Sequence, residues 1–222
     1  MPSAAPIITP LFATPFAVVP SDAPAALHTA LASLFLGCAT EEYRDTSLAP
    51  DGHCFRSRED LFDWPSEPVA HLRQEMLRGV CATVVATTRY TEAEFNTLGL
   101  QARGRFAIVR PDGCIPASTA PMASWYALYC IAAPPPPPAR ADSGVLRLYA
   151  VRPNMFTDAG NYDLRAPYTG SHQIWRPVPG EMAVFPASIL HEVALNRTND
   201  NLVLVLARVR FSHRGQTALP PW

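Results

Sequence analysis

A histidine near the C-terminal end of the chain is the residue best placed to do chemistry. The segment PVPGEMAVFPASILHEVALNR, residues 177–197, runs from a Gly turn through an apolar strand to a Pro, and a short loop then leads to His191 at the start of the next strand. A neutral imidazole that projects inward from a rigid strand can bind a metal ion, and the turn before it leaves room for metal and ligand. A single histidine beside an apolar run is also often a hydrogen-bonded structural residue, so the segment alone leaves both interpretations open.

A second histidine and several arginines are candidates to complete a site. His172, in YTGSHQIW, lies on a predicted strand before this segment, and with His191 it is a candidate metal ligand, although a structural role explains it better. Glu192 follows His191 directly, so on a strand it should point to the opposite face. Three arginines could anchor an organic acid or simply lay their stems along a rim: Arg105, Arg147 and Arg176.

Other common catalytic patterns are missing from the sequence. All eighteen basic residues are Arg, so a Schiff-base lysine is excluded. There is no GxSxG elbow, no P-loop and no GxGxxG motif.

The first hundred residues predict one strand and two helices. Residues 7–19 are β-branched and aromatic with Pro interruptions, which favours an edge strand. Apolar residues at helical spacing predict a helix over Ala25–Cys38 and a longer one over about Glu67–Thr88. The polar stretch Thr40–Ser57 is predicted to be a loop.

After residue 100 the apolar pattern changes to a period of two. It predicts six short strands, separated by Pro, Gly, Asn and Asp: Arg105–Arg110, Ser124–Ile131, Val145–Val151, Ser171–Val178, Glu181–Pro186 and Asn201–Phe211. Strands without intervening helices indicate a mainly β antiparallel barrel or jelly roll with the two helices on its outside. We expect one domain, with residues 1–99 packed on a barrel core of residues 100–222.

The sequence resembles a bacterial family of 2-oxoglutarate/iron(II) oxygenases related to prolyl hydroxylases. Four kinds of segment carry the resemblance: an I-x-P-L-F-x-T-P strand at Ile8–Pro15, the DLFDW helix start at 60–64, the strands SWYALYCI (124–131) and SGVLRLYAV (143–151), and the segment Gly180–Asn196. That last segment follows the family pattern G-x-x-x-x-F-P-S-x-x-x-H-x-V-x-x-N except that Ala187 stands at the position of the Ser. The resemblance implies a double-stranded β-helix that binds iron(II) and 2-oxoglutarate and oxidises a small molecule or peptide.

The resemblance also assigns positions to the site residues. His191 matches the second metal-binding histidine. The first histidine and its carboxylate or histidine partner should fall near Ser118 and Ala120, and the arginine that grips 2-oxoglutarate should fall near Asn201. A tyrosine that hydrogen-bonds the cosubstrate matches Tyr126. Among the three metal-binding positions and the arginine position, only His191 keeps the expected residue type, so the resemblance implies the fold more strongly than the reaction.

Three functions stay open at this point. The first is an iron and 2-oxoglutarate oxygenase with a remodelled site, in which His191 and His172 would bind the metal, Tyr126, Asn201 and Arg147 the cosubstrate, and Ser118 and Ala120 would line the substrate pocket. The second is an inactive member that serves as a binding or structural module. The third is a cupin-like binder of a small acid. In each case we expect no tight iron site of the usual facial kind.

The last predicted strand has two faces that compete for the barrel interior. One face, the valine face, carries Val203, Val205, Ala207 and Val209; the other, the leucine face, carries Leu202, Leu204 and Leu206. Asn201 belongs to the valine face, and Arg208 and Arg210 belong to the leucine face. We expect the valine face inside the barrel and both arginines to reach solvent or salt bridges.

Composition limits the partners and the compartment. The net charge of −1 and a charged fraction of 17% give no basic field for nucleic acid. Five widely spaced cysteines without a CxxC pair indicate free thiols in a reducing compartment. The N-terminal residues have no basic region and are broken by Pro, so neither signal peptide nor membrane anchor is expected. We therefore expect a cytoplasmic protein without membrane contact, and the sequence leaves a homodimer open.

Overall fold

The computed structural model describes residues 13–49, 51–150, 172–213 and 222. The helices are α1 (Ala25–Gly37), α2 (Glu67–Thr87) and α3 (Glu92–Phe95), with a 3₁₀ turn at Leu61–Asp63. The strands are β1 (Ala17–Pro20), β2 (Cys54–Arg56), β3 (Gly99–Val109), β4 (Ile115–Ser118), β5 (Trp125–Ala132), β6 (Leu146–Tyr149), β7 (His172–Trp175), β8 (Glu181–Pro186), β9 (Leu190–Val193) and β10 (Leu202–Ser212). None of the described helices is long and apolar enough to cross a membrane.

The strands form two antiparallel sheets. The larger sheet has the order β1-β8-β5-β10-β3-β2, and the smaller has the order β4-β9-β6-β7. From β3 to β10 the chain passes repeatedly between the two sheets, which is the winding of a jelly roll. The mainly β architecture is therefore consistent with the predicted double-stranded β-helix.

The hydrophobic core has two layers, one on each side of the larger sheet. The first lies under the helices and includes Phe35 of α1 and Met76 of α2, together with Phe106 of β3. The second lies between the sheets and includes Leu128 and Leu146. The larger sheet is consequently buried on both faces, and the smaller sheet closes the barrel.

The two faces of β10 are the reverse of the prediction. The valine face belongs to the layer under the helices, whereas Leu202, Leu204 and Leu206 pack between the two sheets. The prediction that the valine face lines the barrel is wrong. Both faces of this strand are apolar because both are buried, one by the helices and one by the smaller sheet. The alternating pattern therefore does not indicate which face contacts the helices. Arg208 and Arg210 consequently share the inner face.

Both long helices lie within one residue of their predicted bounds. The other differences from the prediction concern short strands. The predicted loop Thr40–Ser57 contains β2, an edge strand of the larger sheet, and β4 was not predicted. A strand was expected to start at His191, without stated bounds, and β9 covers Leu190–Val193. These strands have three or four residues each, too few to show a period of two. Residues 7–12 of the predicted first strand lie outside the described residues.

Candidate functional site

His191 lies on the inner face of β9, at one end of the barrel, which we call the mouth. Its side chain is buried, and its ring contacts two aromatic residues of the larger sheet. The ring centroids lie 4.5 Å from Tyr126 and 5.0 Å from Phe185. Tyr126 and Phe185 are paired across β5 and β8, so the imidazole is held between the two sheets by flat apolar surfaces.

The protonation state of His191 follows from its surroundings. Its Nδ1 lies 2.9 Å from the carbonyl oxygen of Ile189, and because a carbonyl only accepts, Nδ1 carries the hydrogen. Burial lowers the pKa of His191, while the hydrogen bond to Ile189 opposes that shift. The ring is therefore neutral near neutral pH, with a lone pair on Nε2.

Stability should fall when the protein is acidified. In the unfolded chain His191 has a pKa of about 6.5 and takes up a proton that the folded state binds less strongly, so acidification through that value favours unfolding. The free energy of unfolding in urea is expected to decrease from about pH 7.5 to about pH 5.5. His191→Asn, whose amide can still donate to Ile189, should reduce this dependence, and the exposed control His53→Asn should not. A wild-type stability that rises on acidification would contradict the account.

Ser118 lies directly opposite His191. The two residues are Cα partners in the pairing of β4 with β9, and the register shifts between Ile115 and Ser118. Ala120 is buried, and its backbone N–H donates to the carbonyl oxygen of Ala187 over 2.9 Å. Ser118 therefore lies across from the imidazole, while Ala120 adds no polar side-chain atom.

A network of ion pairs lies beside these residues on the inner face. Arg208 is the strand partner of Tyr126, so it lies at the same end of the barrel as His191. Glu59 accepts hydrogen bonds from Arg208 and from Arg105, whose Nη2 lies 2.5 Å from Oε1. Arg105 also donates to Asp45 over 2.8 Å. The carboxylates hold these guanidinium groups in fixed positions at the mouth.

Three polar groups at the mouth keep unused hydrogen-bonding capacity within the described part of the chain. The Nε of Arg208 is buried without a partner there. The hydroxyl of Tyr126 donates to no described residue, and burial raises its pKa to about 12, so it stays protonated. The lone pair on Nε2 of His191 is the third. Two donors and one acceptor thus lie at one end of the inner face.

Two residues predicted to belong to the site, His172 and Arg147, lie elsewhere. His172 and Arg147 occupy the outer face of the smaller sheet, because Leu146 and Leu148 fill its inner face. Arg147 donates to Glu192 over 3.1 Å, which confirms that Glu192 points away from the barrel. His172 and His191 therefore cannot share a metal ion in this arrangement.

Asn201 lies at the far end of β10. It precedes Leu202, and six residues along a strand separate Leu202 from Arg208, or about 20 Å. The expected position of the acid-binding arginine is thus distant from the arginine that the fold brings to the mouth. Arg176, another candidate, donates to the backbone carbonyls of Ser143 and Ala141.

Sequence reasoning missed the contributions of Arg208, Phe185 and Glu59. The spacing of Arg208 and Arg210 on the leucine face was a usable signal, but its meaning depended on which face is inside. Glu59 comes from the segment before the 3₁₀ turn, and no local pattern indicated that it would reach a strand 149 residues away. These contacts exist only after the barrel has closed.

Comparison with known proteins finds similar solved structures but no similar sequences. The sequence matches no protein-family model and no curated protein. A Pseudomonas putida prolyl-4-hydroxylase aligns with a TM-score of 0.57 and 17% identity, over 88% of this chain and 92% of that chain. SnoK, a non-heme alpha-ketoglutarate-dependent carbocyclase from nogalamycin biosynthesis, gives 0.61 and 9%, over 89% and 79%. HygX from Streptomyces hygroscopicus, solved with nickel and 2-oxoglutarate bound, gives 0.55 and 13%, over 89% and 83%.

The chain shares its fold with these three proteins. At these identities the likeness shows the fold alone. It agrees with the repeated passage of the chain between the two sheets from β3 to β10.

The side chains at the expected metal position do not fit iron(II) as the oxygenase fold usually holds it. The resemblance places His191, Ser118 and Ala120 there: one imidazole, one neutral hydroxyl and one methyl group. A facial site needs two imidazoles and a carboxylate. Within residues 13–49, 51–150 and 172–213, no group of three or more His, Cys, Asp or Glu residues could hold a metal ion. A single imidazole would leave the ion mostly bound to water.

The barrel beyond His191 is filled by apolar side chains. Leu128, Cys130, Leu204 and Trp175 are all buried there, between the two sheets. Burial raises the pKa of Cys130, so its thiol stays neutral and acts as a small apolar group. The interior of the barrel beyond His191 is therefore occupied by side chains.

Proposed function

We propose that this protein uses the oxygenase fold to bind a small organic acid at the mouth of the barrel, without iron chemistry. The observation that carries the proposal is the convergence of Arg208, Tyr126 and His191, each with unused hydrogen-bonding capacity. A carboxylate would accept from the Arg208 Nε–H and from the Tyr126 hydroxyl. A ligand hydroxyl would donate to Nε2 of His191, so the class we favour is a hydroxy acid.

The electrostatics support the same class of ligand. The carboxylate of Glu59 is shared by Arg208 and by Arg105, which also pairs with Asp45, so Arg208 receives only part of one negative charge. An anionic ligand would complete the neutralisation in a partly buried site, where charge-assisted hydrogen bonds are strong. A neutral ligand of the same shape lacks this contribution.

Calorimetric titration with lactate, malate and citrate tests the proposal. Arg208→Met is expected to weaken the binding of the tightest acid by at least about tenfold, because a hydrogen bond to a charged group contributes about 1.5–3 kcal/mol. Tyr126→Phe should weaken it by about threefold to tenfold, in the range of a neutral hydrogen bond of about 0.5–1.5 kcal/mol. Arg147→Met, on the outer face, is the matched control and should bind as the wild type does.

Two outcomes would overturn this assignment. One is a wild-type protein that binds none of the three acids. The other is equal affinity in the wild type, Arg208→Met and Tyr126→Phe. Because Arg208 also contacts Glu59, the thermal midpoint of each variant is measured alongside, and Tyr126→Phe separates lost binding from lost folding.

The second candidate function is oxidation of a small molecule or peptide with iron(II) and 2-oxoglutarate. It is favoured by the fold, which is shared with a prolyl hydroxylase and a carbocyclase, and by the tautomer of His191, whose Nε2 lone pair is the form that binds metal. It requires metal ligands other than Ser118 and Ala120. Stoichiometric binding of iron(II) that depends on His191 would favour it over the first candidate.

A further inference from the structure

Three arginines of the mouth surround one aromatic ring. The guanidinium carbons of Arg210, Arg208 and Arg103 lie 4.1, 5.1 and 5.6 Å from the ring centroid of Trp222. The face of an aromatic ring attracts cations, and Trp is the strongest such ring among the side chains. Three guanidinium groups that would otherwise repel one another are therefore brought together around the indole.

The strand register explains why these arginines are adjacent. Arg103 of β3 is the direct partner of Arg208 of β10, and Arg210 lies two residues further along the same face. Arg210 is buried and donates from Nε to Gln101 over 2.9 Å, whereas Arg103 is exposed. The backbone thus fixes a cationic platform, defined here as Arg103, Arg208 and Arg210.

The platform is continuous with the proposed acid site. Arg208 has Tyr126 as its strand partner on one side and Arg103 on the other. Neighbouring strands lie about 4.8 Å apart, so a ring on the platform and a carboxylate at Tyr126 would be separated by about two carbon atoms of a ligand. A ligand in which a short linker joins an aryl group to a hydroxy acid can place its ring on the platform and its carboxylate at Tyr126.

We propose that the platform is a subsite for the aromatic ring of an arylated hydroxy acid, and that Trp222 occupies it in the absence of that ligand. This inference rests on the proposed binding of an acid at Arg208 and Tyr126, and it names the class of acid. Trp222 is then an internal competitor for the ring subsite alone. Removal of the indole should increase the affinity for aromatic acids and leave the affinity for aliphatic acids unchanged.

Affinity measurements on Trp222→Ala test the inference. The variant is expected to bind 3-phenyllactate about tenfold more tightly than the wild type does, within the range of cation–π contacts. Its affinity for lactate should stay within about twofold, because lactate has no ring to place on the platform. Leu195→Ala, which removes an exposed apolar side chain outside the platform, is the control and should change neither affinity.

A neutral probe separates this inference from the proposed function. Indole, which has no carboxylate, should bind Trp222→Ala and should bind the double variant Trp222→Ala/Arg103→Met at least about threefold more weakly. Binding of indole with that dependence would support the platform even if no acid binds. Acid binding that is independent of Trp222, with no indole binding, would overturn the ring subsite and leave the acid site standing.

Discussion

Replacing Glu59 with Gln is expected to lower the free energy of unfolding by about 2–3 kcal/mol. Glu59 is the carboxylate that Arg105 and Arg208 share, and its side chain is only 16% exposed. Removing one partner of a buried ion pair costs about 3–5 kcal/mol, and residual solvent access at this site reduces that value. The substitution leaves two guanidinium groups close together without their common counter-ion. Urea denaturation at neutral pH measures the loss.

An exposed ion pair supplies the control for Glu59. Glu41 accepts a hydrogen bond from Arg44 over 2.7 Å, but its side chain is 81% exposed. Glu41→Gln should change the free energy of unfolding by less than about 0.5 kcal/mol. The double variant Glu59→Gln/Arg208→Met should recover part of the loss, because it also removes one of the unpaired charges. If Glu59→Gln and Glu41→Gln change the free energy of unfolding equally, the ion pairs of Glu59 stabilise the fold no more than an exposed ion pair does.

Phe106→Ala is expected to produce the largest loss of stability, about 3–5 kcal/mol. Phe106 is fully buried at the centre of the layer under the helices. Its ring centroid lies 4.7 Å from that of Phe35 and 5.4 Å from that of Phe55. The substitution removes the ring through which α1 and β2 contact β3, and the rigid surroundings cannot fully close the cavity.

The matched control for Phe106 is an apolar residue on the surface. Val85 of α2 is 37% exposed, and Val85→Ala should cost less than about 1 kcal/mol, because few buried contacts are lost. Chemical denaturation of both variants gives the comparison. A loss at Phe106 as small as that at Val85 would mean that the helices are not anchored to the sheet through this ring.

The sequence was most informative where one periodic pattern covered a whole element. The apolar stripe of α2 spans many turns, so its bounds were predicted to within one residue. The strands β2 and β4 are too short for a pattern, and their positions are set by the partner strands to which they bond. For these strands tertiary pairing decides the conformation, and no local signal precedes it.

Some residues of the candidate site were predicted from the sequence and others were not. His191 and Tyr126 were predicted from the resemblance, and the fold brings their rings to 4.5 Å. Arg208 was expected outside, because both faces of β10 are apolar and the sequence does not record whether helices or the second sheet cover each face. Arg208 and Asn201 lie at opposite ends of β10. The candidate acid site is therefore at the other end of the barrel from the position that the resemblance assigned to it.

Anaerobic titration of the protein with iron(II) and 2-oxoglutarate tests the central claim most directly, that the oxygenase fold here lacks its usual metal site. With His191, Ser118 and Ala120 at the expected metal position, we predict no visible charge-transfer band at stoichiometric iron, and no iron retained after gel filtration. The titration is repeated with His191→Asn, while circular dichroism verifies that both proteins are folded. A band that forms at one equivalent of iron in the wild type and disappears in His191→Asn would contradict the account.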